Sequence, residues 1–179
     1  MRLEPTFRWS DEIAALFTLT PEHVTDAYVG WMADPEVNRY LESRFAVHRR
    51  EDIEAYVAAR LAGEDLLLGI HSRALDRHVG NIKLGPIDRH HGLGEIGIMI
   101  GDRDAWGKGI ATAAIRRISA IAFEELGLRK LSAGCYASNV GSRKAFEAAG
   151  FAVEAIRPAH VLVDGQPVDA VLLGLARAA

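Results

Sequence analysis

Trp106-Gly107-Lys108-Gly109-Ile110-Ala111 joins a predicted strand, Glu95 to Ile100, to a long predicted helix. Gly107 and Gly109 permit backbone conformations that are closed to other residues, and they let a ligand approach the main chain. The main-chain N–H groups from Gly109 to Thr112 point out of the start of the helix. Together with the helix dipole they predict an anion site suited to a pyrophosphate, to which Lys108 adds a positive charge.

Other phosphate-binding loops fit this stretch poorly. A dinucleotide loop needs G-x-G-x-x-G at the start of a parallel βαβ unit, and the third glycine is absent. A nucleoside triphosphate loop needs Ser or Thr after Gly-Lys, whereas Gly109 follows Lys108. A glycine-rich turn that binds nothing is the remaining alternative when the loop is considered alone.

Strands and helices are predicted on both sides of this junction. The Thr-Pro-Glu sequence at Thr20 favours a helix as far as Ala33, and Arg49 to Leu61 favours a second helix. The long helix is predicted to end near Leu126, and a last helix to run from Asn139 to Ala149. The predicted strands are Ala14 to Leu19, Leu66 to His71, Val79 to Ile87, Glu95 to Ile100, Lys130 to Tyr136, Phe151 to Pro158 and Val168 to Leu175. This order predicts a mixed α/β sheet with helices packed on it.

A second constellation begins at Asn139, which ends a strand and is followed by Val140-Gly141-Ser142. Asn139 has the residue type that caps a helix, and this is its structural interpretation. Ser142 stands in the first turn of the same helix, where it is expected to face the cleft beside the glycine loop. Gly150-Phe151 ends the helix and returns the chain to the sheet.

Taken together, the two segments resemble the GNAT superfamily of N-acetyltransferases. Its pyrophosphate motif is written Q/R-x-x-G-x-G/A, and Gly109 and Ala111 match the last two fixed positions. Trp106 replaces the first residue, as in a branch that resembles ribosomal-protein and amino-sugar acetyltransferases. The resemblance covers nearly the whole chain. It implies a mixed, mostly antiparallel sheet with a splayed fourth strand and helices on both faces.

The resemblance also implies roles for single residues, with acetyl-CoA as the acetyl donor. Main-chain groups around Met99 and Ile100 are expected to meet the pantetheine and the acetyl carbonyl. The pyrophosphate is expected at the loop composed of Gly107, Lys108, Gly109, Ile110, Ala111 and Thr112. Asn139 is expected to contact the CoA arm, and Ser142 to lie near its sulfur.

The chain departs from the family pattern at two places. Many relatives carry Tyr at the position of Phe146, where the phenol can protonate the leaving thiolate, so that role falls to Ser142 or to no residue. The loop from Ile100 to Trp106 is one residue longer than the common pattern, which shifts the expected main-chain contacts by about one position.

Acetyl transfer by direct attack requires a neutral amine. A lysine-like amine with a pKa of about 10.4 is neutral in only about one molecule in 2,500 at pH 7, so a base or a desolvating pocket is needed. Glu95 is the first candidate base, and pairing across the sheet is its structural alternative. His90 and His91 are further candidates, although loop histidines are more often solvated. Cys135 is expected to be a buried core thiol.

The acceptor pocket is expected between the early helices and the last hairpin, with Trp31, Tyr40 and Arg44 as candidate substrate-binding residues. The segment Tyr40-Leu41-Glu42-Ser43-Arg44 favours an amino-sugar nucleotide, because aromatic and arginine side chains hold a sugar ring and its phosphates. The alternatives are a protein N-terminus as the acceptor, a polyamine or aminoglycoside, or a CoA-binding module without catalysis.

Composition restricts the class of protein. The 179 residues carry a net charge of −3 and are 49% hydrophobic, which predicts one soluble domain over residues 1–179, with 1–12 as a loose lead-in. No basic excess points to nucleic acid, and no run of about 20 apolar residues predicts a membrane span. One cysteine excludes an internal disulfide, no metal-ligand set is recognised, and the cytoplasm is the expected location. A homodimer is compatible with the resemblance, since relatives often pair through their last strands.

Overall fold

Eight strands form one open sheet in the computed structural model, which describes residues 7–178. The spatial order is β1-β2-β3-β4-β5-β6-β8-β7. The strands are β1 Phe7–Ser10, β2 Ala14–Thr18, β3 Leu66–Ser72, β4 Arg77–Asp88, β5 Leu93–Ile100, β6 Lys130–Tyr136, β7 Ala152–Val163 and β8 Gln166–Ala176. The mixed α/β sheet expected from the sequence is therefore confirmed.

Helices follow β2, β5 and β6 along the chain. They are α1 Asp26–Ala33, α2 Pro35–Asn38, α3 Arg50–Ala62, α4 Ile110–Ala120 and α5 Val140–Ala148. Helix α4 continues as a π-helical turn, Ile121–Glu125, and the chain then passes through Gly127, whose φ of 66° ends the helix. None of the helices in this part of the chain is long and apolar enough to cross a membrane.

The pairing of β5 with β6 differs from every other pairing in the sheet. These two strands are parallel, and they pair only over Leu93–Glu95 and Lys130–Ser132. All other neighbours are antiparallel and most pair along much of their length. Strand β5, the fourth strand of the sequence prediction, therefore parts from β6 beyond Glu95. This confirms the splayed strand and opens a gap in the middle of the sheet.

Helices cover both faces of the sheet, because side chains alternate along the strands. On β2, Leu16 belongs to the main core, which includes the inner face of α4, whereas Phe17 belongs to a second cluster. That second cluster includes Tyr28 and Trp31 of α1 and the buried residues of α3. The face that carries the second cluster is called the α1 face below.

The predicted helix from Thr20 to Ala33 is wrong as a single element. Pro21–His23 is one 3₁₀ turn, held by the contact of 2.9 Å between the Thr20 hydroxyl and His23 Nδ1. The chain then restarts at Thr25, whose hydroxyl accepts from the Tyr28 N–H and caps α1. Two local caps within six residues therefore divide what looked like one helix.

The lead-in expected over residues 1–12 is also partly different. Phe7–Ser10 forms β1, which pairs with β2 through a turn at Asp11. The Asp11 carboxylate accepts from the N–H groups of Ile13 and Ala14 at 2.7 and 2.8 Å, and this closes the turn. Residues 1–6 lie outside the described part of the chain.

Candidate active site

The glycine loop opens onto free space at the start of α4. Gly107 and Gly109 have φ values of 71° and 75°, so both lie in the left-handed region that favours glycine. A Cβ atom at either position would meet no atom within 4 Å. Gly109 caps α4 without a side-chain bond, and the first helical bond runs from Ala113 N–H to its carbonyl. The N–H groups from Ile110 to Thr112 are therefore free to bind an anion.

An ion-pair clamp fixes the segment that precedes this loop. Arg77 on β4 donates to Asp102 at 2.6 Å and to Asp104 at 2.8 Å. The hydrogen bond from Arg77 is the largest effect that holds the pKa of Asp102 below its usual value. At the end of the segment, Trp106 Nε1 donates to the Ile100 carbonyl at 2.8 Å. Trp106 thus has a structural role that its place in the motif does not reveal.

The gap between β5 and β6 has a floor without side chains. Glu95 and Ser132 are the last paired residues, and beyond them Gly97 stands on β5 and Gly134 on β6. A Cβ atom on Gly97 would meet nothing within 4 Å, and one on Gly134 would meet only Leu172, at 3.8 Å. A narrow chain such as pantetheine can therefore pass between the strands at this point.

Met99 and Ile100 lie at the far end of β5. Both are half-buried, and Met99 packs against the second cluster on the α1 face. The Ile100 carbonyl already accepts from Trp106, so it is occupied. The prediction that main-chain groups here meet the acetyl group stays a prediction, now centred on Met99.

Glu95 is exposed and stands where the two strands part. By alternation it shares the α1 face with Gly97 and Met99, since Ile96 between them belongs to the main core. Its carboxylate is therefore placed beside the mouth of the gap, as a base that works through water requires. His90 and His91 are in the exposed turn between β4 and β5, beyond the paired end of that gap.

The two polar residues of the second constellation are joined to each other. The Asn139 side-chain oxygen accepts from the Ser142 N–H at 3.2 Å, which is the cap of α5. Both residues are half-buried. Phe146 is 1% exposed and packs edge-to-face on Phe151 at 5.1 Å, so its ring belongs to the core.

Arg44 lies at the centre of a bonded cluster on the acceptor side. It donates to the carbonyls of Leu41 and Leu162 at 2.8 and 2.9 Å and to the Tyr136 hydroxyl at 3.0 Å. Tyr136 in turn donates to the Glu42 carboxylate. Burial and, next, this hydrogen bond raise the pKa of Tyr136, so the phenol remains a donor at neutral pH.

The acceptor wall, defined as residues 39–45 with Tyr136 and the tip of the β7–β8 hairpin, is held by further contacts. The Tyr40 hydroxyl donates to the Ser138 carbonyl at 3.1 Å, and its ring meets Tyr136 edge-on at 5.9 Å. Arg39 pairs with Asp164 at the hairpin tip at 2.8 Å. Tyr40 and Arg44 are therefore both in the wall, as the sequence predicted, but Arg44 is fully occupied.

Sequence reasoning singled out Tyr40 and Arg44 but missed Glu42 and Tyr136 as members of the wall. Glu42 was part of the same quoted segment, and only the partner across the fold gives it a role. Tyr136 had a usable signal, because it shares the period of Ser132 and Gly134 and so falls on the side of the gap that faces the wall.

Trp31 is 8% exposed and belongs to the core of the α1 face. Its indole packs over Gly101 and meets His78 edge-on at 5.0 Å. Burial among these rings lowers the pKa of His78 to about 4. The surroundings of Trp31 therefore support a packing role rather than contact with an acceptor.

The remaining candidates are explained by burial and spacing. Cys135 is 8% exposed on β6 and burial raises the pKa of its thiol, which confirms the expected core cysteine. Within residues 7–178, no three His, Cys, Asp or Glu side chains cluster closely enough to hold a metal ion.

Comparison with known proteins agrees with this geometry. The family model described as an acetyltransferase (GNAT) domain matches residues 15–152. The probable N-acetyltransferase YjcK of Bacillus subtilis (strain 168) is 32% identical over 156 residues, which cover 81% of this chain and 85% of that protein.

Two solved structures share the fold at lower identity. The spermidine N-acetyltransferase of Vibrio cholerae, in complex with CoA and spermine, superposes with a TM-score of 0.80 at 18% identity, over 93% of this chain and 96% of that chain. A Vibrio cholerae protein provisionally described as a ribosomal-protein-serine acetyltransferase gives a TM-score of 0.72 at 20% identity, over 98% and 100%. The splayed β5, the free helix start and these matches lead to one conclusion: the chain belongs to the GNAT family of N-acetyltransferases.

Proposed function

We propose that this enzyme transfers an acetyl group from acetyl-CoA to a primary amine by direct attack in the gap between β5 and β6. One observation carries the proposal: the glycine-floored gap runs between the free helix start and the acceptor wall. A donor bound at one end and an amine bound at the other would meet at Met99. Holding both reactants in one cleft supplies a large part of the rate enhancement in such reactions.

Acetyl-CoA is the donor substrate in this proposal. The free N–H groups of Ile110, Ala111 and Thr112 would bind its pyrophosphate, with Lys108 exposed beside them. Asn139 caps α5 through its oxygen, so its amide nitrogen is the group that can reach the CoA arm. The structural neighbour solved in complex with CoA and spermine supports the same choice of donor.

Glu95 is proposed as the base. The ammonium form of the acceptor gives its proton to the Glu95 carboxylate through a water, and the neutral nitrogen then attacks the thioester carbonyl. The C–S bond breaks as the amide forms. Ser142 is proposed to donate to the thiolate sulfur, which takes its proton finally from solvent. A thiolate with a pKa near 8.5 is a tolerable leaving group, so the effect of Ser142 is expected to be small.

The acceptor proposed from the sequence is an amino-sugar nucleotide, and the acceptor wall bears on that choice. Arg44 is engaged with two carbonyls and a phenol, so it offers no open guanidinium fork for a sugar phosphate. Phe45 and Val47 are 77% and 84% exposed beside the wall. Exposed apolar side chains at the mouth of a cleft favour the alternative acceptor, a protein N-terminus, which needs an open groove with apolar contacts.

The experiment is thiol release from acetyl-CoA against a panel of amino-sugar nucleotides, N-terminal peptides, polyamines and aminoglycosides. The proposal predicts turnover with at least one class and recovery of the acetylated amine by mass spectrometry. Glu95→Gln should lower turnover about 10²-fold or more at pH 7 and less at pH 9, where more of the amine is already neutral. Binding of acetyl-CoA without turnover of any class would reject the proposal.

A further inference from the structure

A groove of about 410 Å³ lies on the opposite side of the glycine loop from the gap. It follows the outer face of α4, from Gly109 and Thr112 to Arg116 and Arg117, and the ring of Trp9 on β1 forms its wall. None of the steps proposed for acetyl transfer uses this surface. Two arginines beside an aromatic ring are a composition that recognises anions with a flat group attached.

The positive charge in this groove is not neutralised by the protein. Within residues 7–178, neither Arg116 nor Arg117 has a carboxylate oxygen within the 4.0 Å that defines an ion pair. The guanidinium of Arg117 stacks on Trp9 at 4.5 Å from the ring centre, and its Nε is buried without a partner. Arg116 donates one N–H to the Ala148 carbonyl at 2.5 Å, which holds its stem while four donor positions remain.

The one acidic residue of the groove is already engaged. Asp11 lines the rim, but its carboxylate oxygen accepts from two main-chain N–H groups of the β1–β2 turn. Stacking on Trp9 also fixes the plane of the Arg117 fork before any ligand arrives. A planar, oriented guanidinium binds a phosphate through two parallel hydrogen bonds at a smaller entropic cost than a flexible lysine would.

The groove is continuous with the predicted pyrophosphate site. Gly109 and Thr112 belong to both, and Arg116 follows Gly109 by seven residues, or about 10 Å along a helix. The two anion-binding regions therefore suit one ligand with two separate phosphate groups, or two ligands side by side.

We propose that this groove binds the phosphate monoester of an adenine nucleotide, with Arg116 and Arg117 on the phosphate and the base against the Trp9–Arg117 stack. Two sources share this chemistry. One is the nucleotide end of the acetyl donor, which carries a 3′-phosphate, and this source rests on the proposed function. The other is a free adenine nucleotide that binds beside the donor.

Calorimetric binding to the full chain separates these sources without any need for turnover. The probes are acetyl-CoA, its dephospho form without the 3′-phosphate, and adenosine 3′,5′-bisphosphate. The variants are Arg116→Met, Arg117→Met and the double variant, since Met keeps an apolar stem and removes the charge. Arg89→Met is the matched control, because Arg89 is an exposed arginine beyond the end of β4 and far from the groove in the fold.

The donor source predicts that each groove variant weakens acetyl-CoA about tenfold, leaves the dephospho form unchanged and leaves Arg89→Met like wild type. The free-nucleotide source predicts unchanged acetyl-CoA affinity, a similar loss for the bisphosphate, and binding of both ligands together. Unchanged affinity for all three probes in the double variant overturns the proposal. Thermal unfolding of each variant checks folding, and Arg116→Met alone, at an exposed position, serves if Arg117→Met does not fold.

Discussion

The donor side and the acceptor side of the gap are built in different ways. The donor side uses main chain: two left-handed glycines and the free start of α4, all within six residues of sequence. The acceptor wall uses side chains from distant segments, since Arg44 meets Tyr136 and Leu162, which are 92 and 118 residues away in sequence. The comparison teaches that a local site can be located from a motif, whereas a wall assembled across the fold cannot.

The largest expected effect breaks the donor side. Gly109→Val forces a β-branched residue into a φ of 75°, which costs at least about 1–2 kcal/mol, and relaxation of the loop misaligns the N–H groups that follow. Loss of two charge-assisted bonds corresponds to a fall of about 100-fold in acetyl-CoA affinity, measured by calorimetry.

Gly30→Ala is the matched control for that substitution. Gly30 lies inside α1, and a Cβ atom there would meet nothing within 4 Å. Alanine should therefore stabilise the fold by about 0.5–1 kcal/mol and leave acetyl-CoA affinity unchanged. Equal affinity in wild type and Gly109→Val would contradict the main-chain site.

A smaller effect is expected from the clamp that supports the donor loop. Arg77→Met removes both contacts to Asp102 and Asp104 and should raise the KM for acetyl-CoA about three- to tenfold. Because the pKa of Asp102 is lowered in the folded state, its contribution to stability is present above about pH 4 and is lost as the pH falls further. Denaturant unfolding should show wild type and variant converging at pH 3, and a constant difference from pH 7 to pH 3 would count against the clamp.

On the acceptor side, Tyr136→Phe tests whether the wall serves the amine alone. The change removes the hydroxyl between Glu42 and Arg44 and should destabilise the fold by about 0.5–1.5 kcal/mol. The KM for the amine should rise several-fold while acetyl-CoA affinity stays constant. Tyr56→Phe on α3 is the control, because Tyr56 is 42% exposed and outside the wall. An equal loss of acetyl-CoA affinity in Tyr136→Phe would show that the two sides are not separate.

The smallest effect is expected at the rim of the wall. Arg39 and Asp164 form an ion pair at 2.8 Å, but their side chains are 44% and 74% exposed. Arg39→Ala should change the free energy of unfolding by less than about 1 kcal/mol, and the difference should vanish in high salt. A larger and salt-independent loss would mean that this contact holds the hairpin against the wall.

The sequence predicted the sheet, the splayed strand and the glycine loop because each depends on nearby residues. Alternation marked the strands, and Gly107 and Gly109 marked a turn with positive φ. It failed over residues 20–33, where the caps at Thr20 and Thr25 compete and only packing decides between them. It also assigned Trp31 to substrate contact, whereas Gly101 leaves room for the indole to pack inward.

The candidate site shows the same limit. The donor residues were placed by a motif, but the pairing of Tyr136 with Glu42 spans 94 residues and leaves no local pattern. Trp106 was identified as a motif position, and its bond to the Ile100 carbonyl became visible only with coordinates. Burial of Phe146 likewise follows from its contact with Phe151, which the motif alone does not give.

The most direct test of the central claim fills the gap itself. Gly97 has an ordinary φ and open space above it, so Gly97→Val should keep or slightly raise the thermal midpoint, since valine favours strands. The added side chain would occupy the floor on which donor and amine meet, and thiol release with the best acceptor should fall at least about 100-fold relative to wild type. A folded Gly97→Val enzyme with wild-type turnover would contradict the assignment of the β5–β6 gap as the place of acetyl transfer.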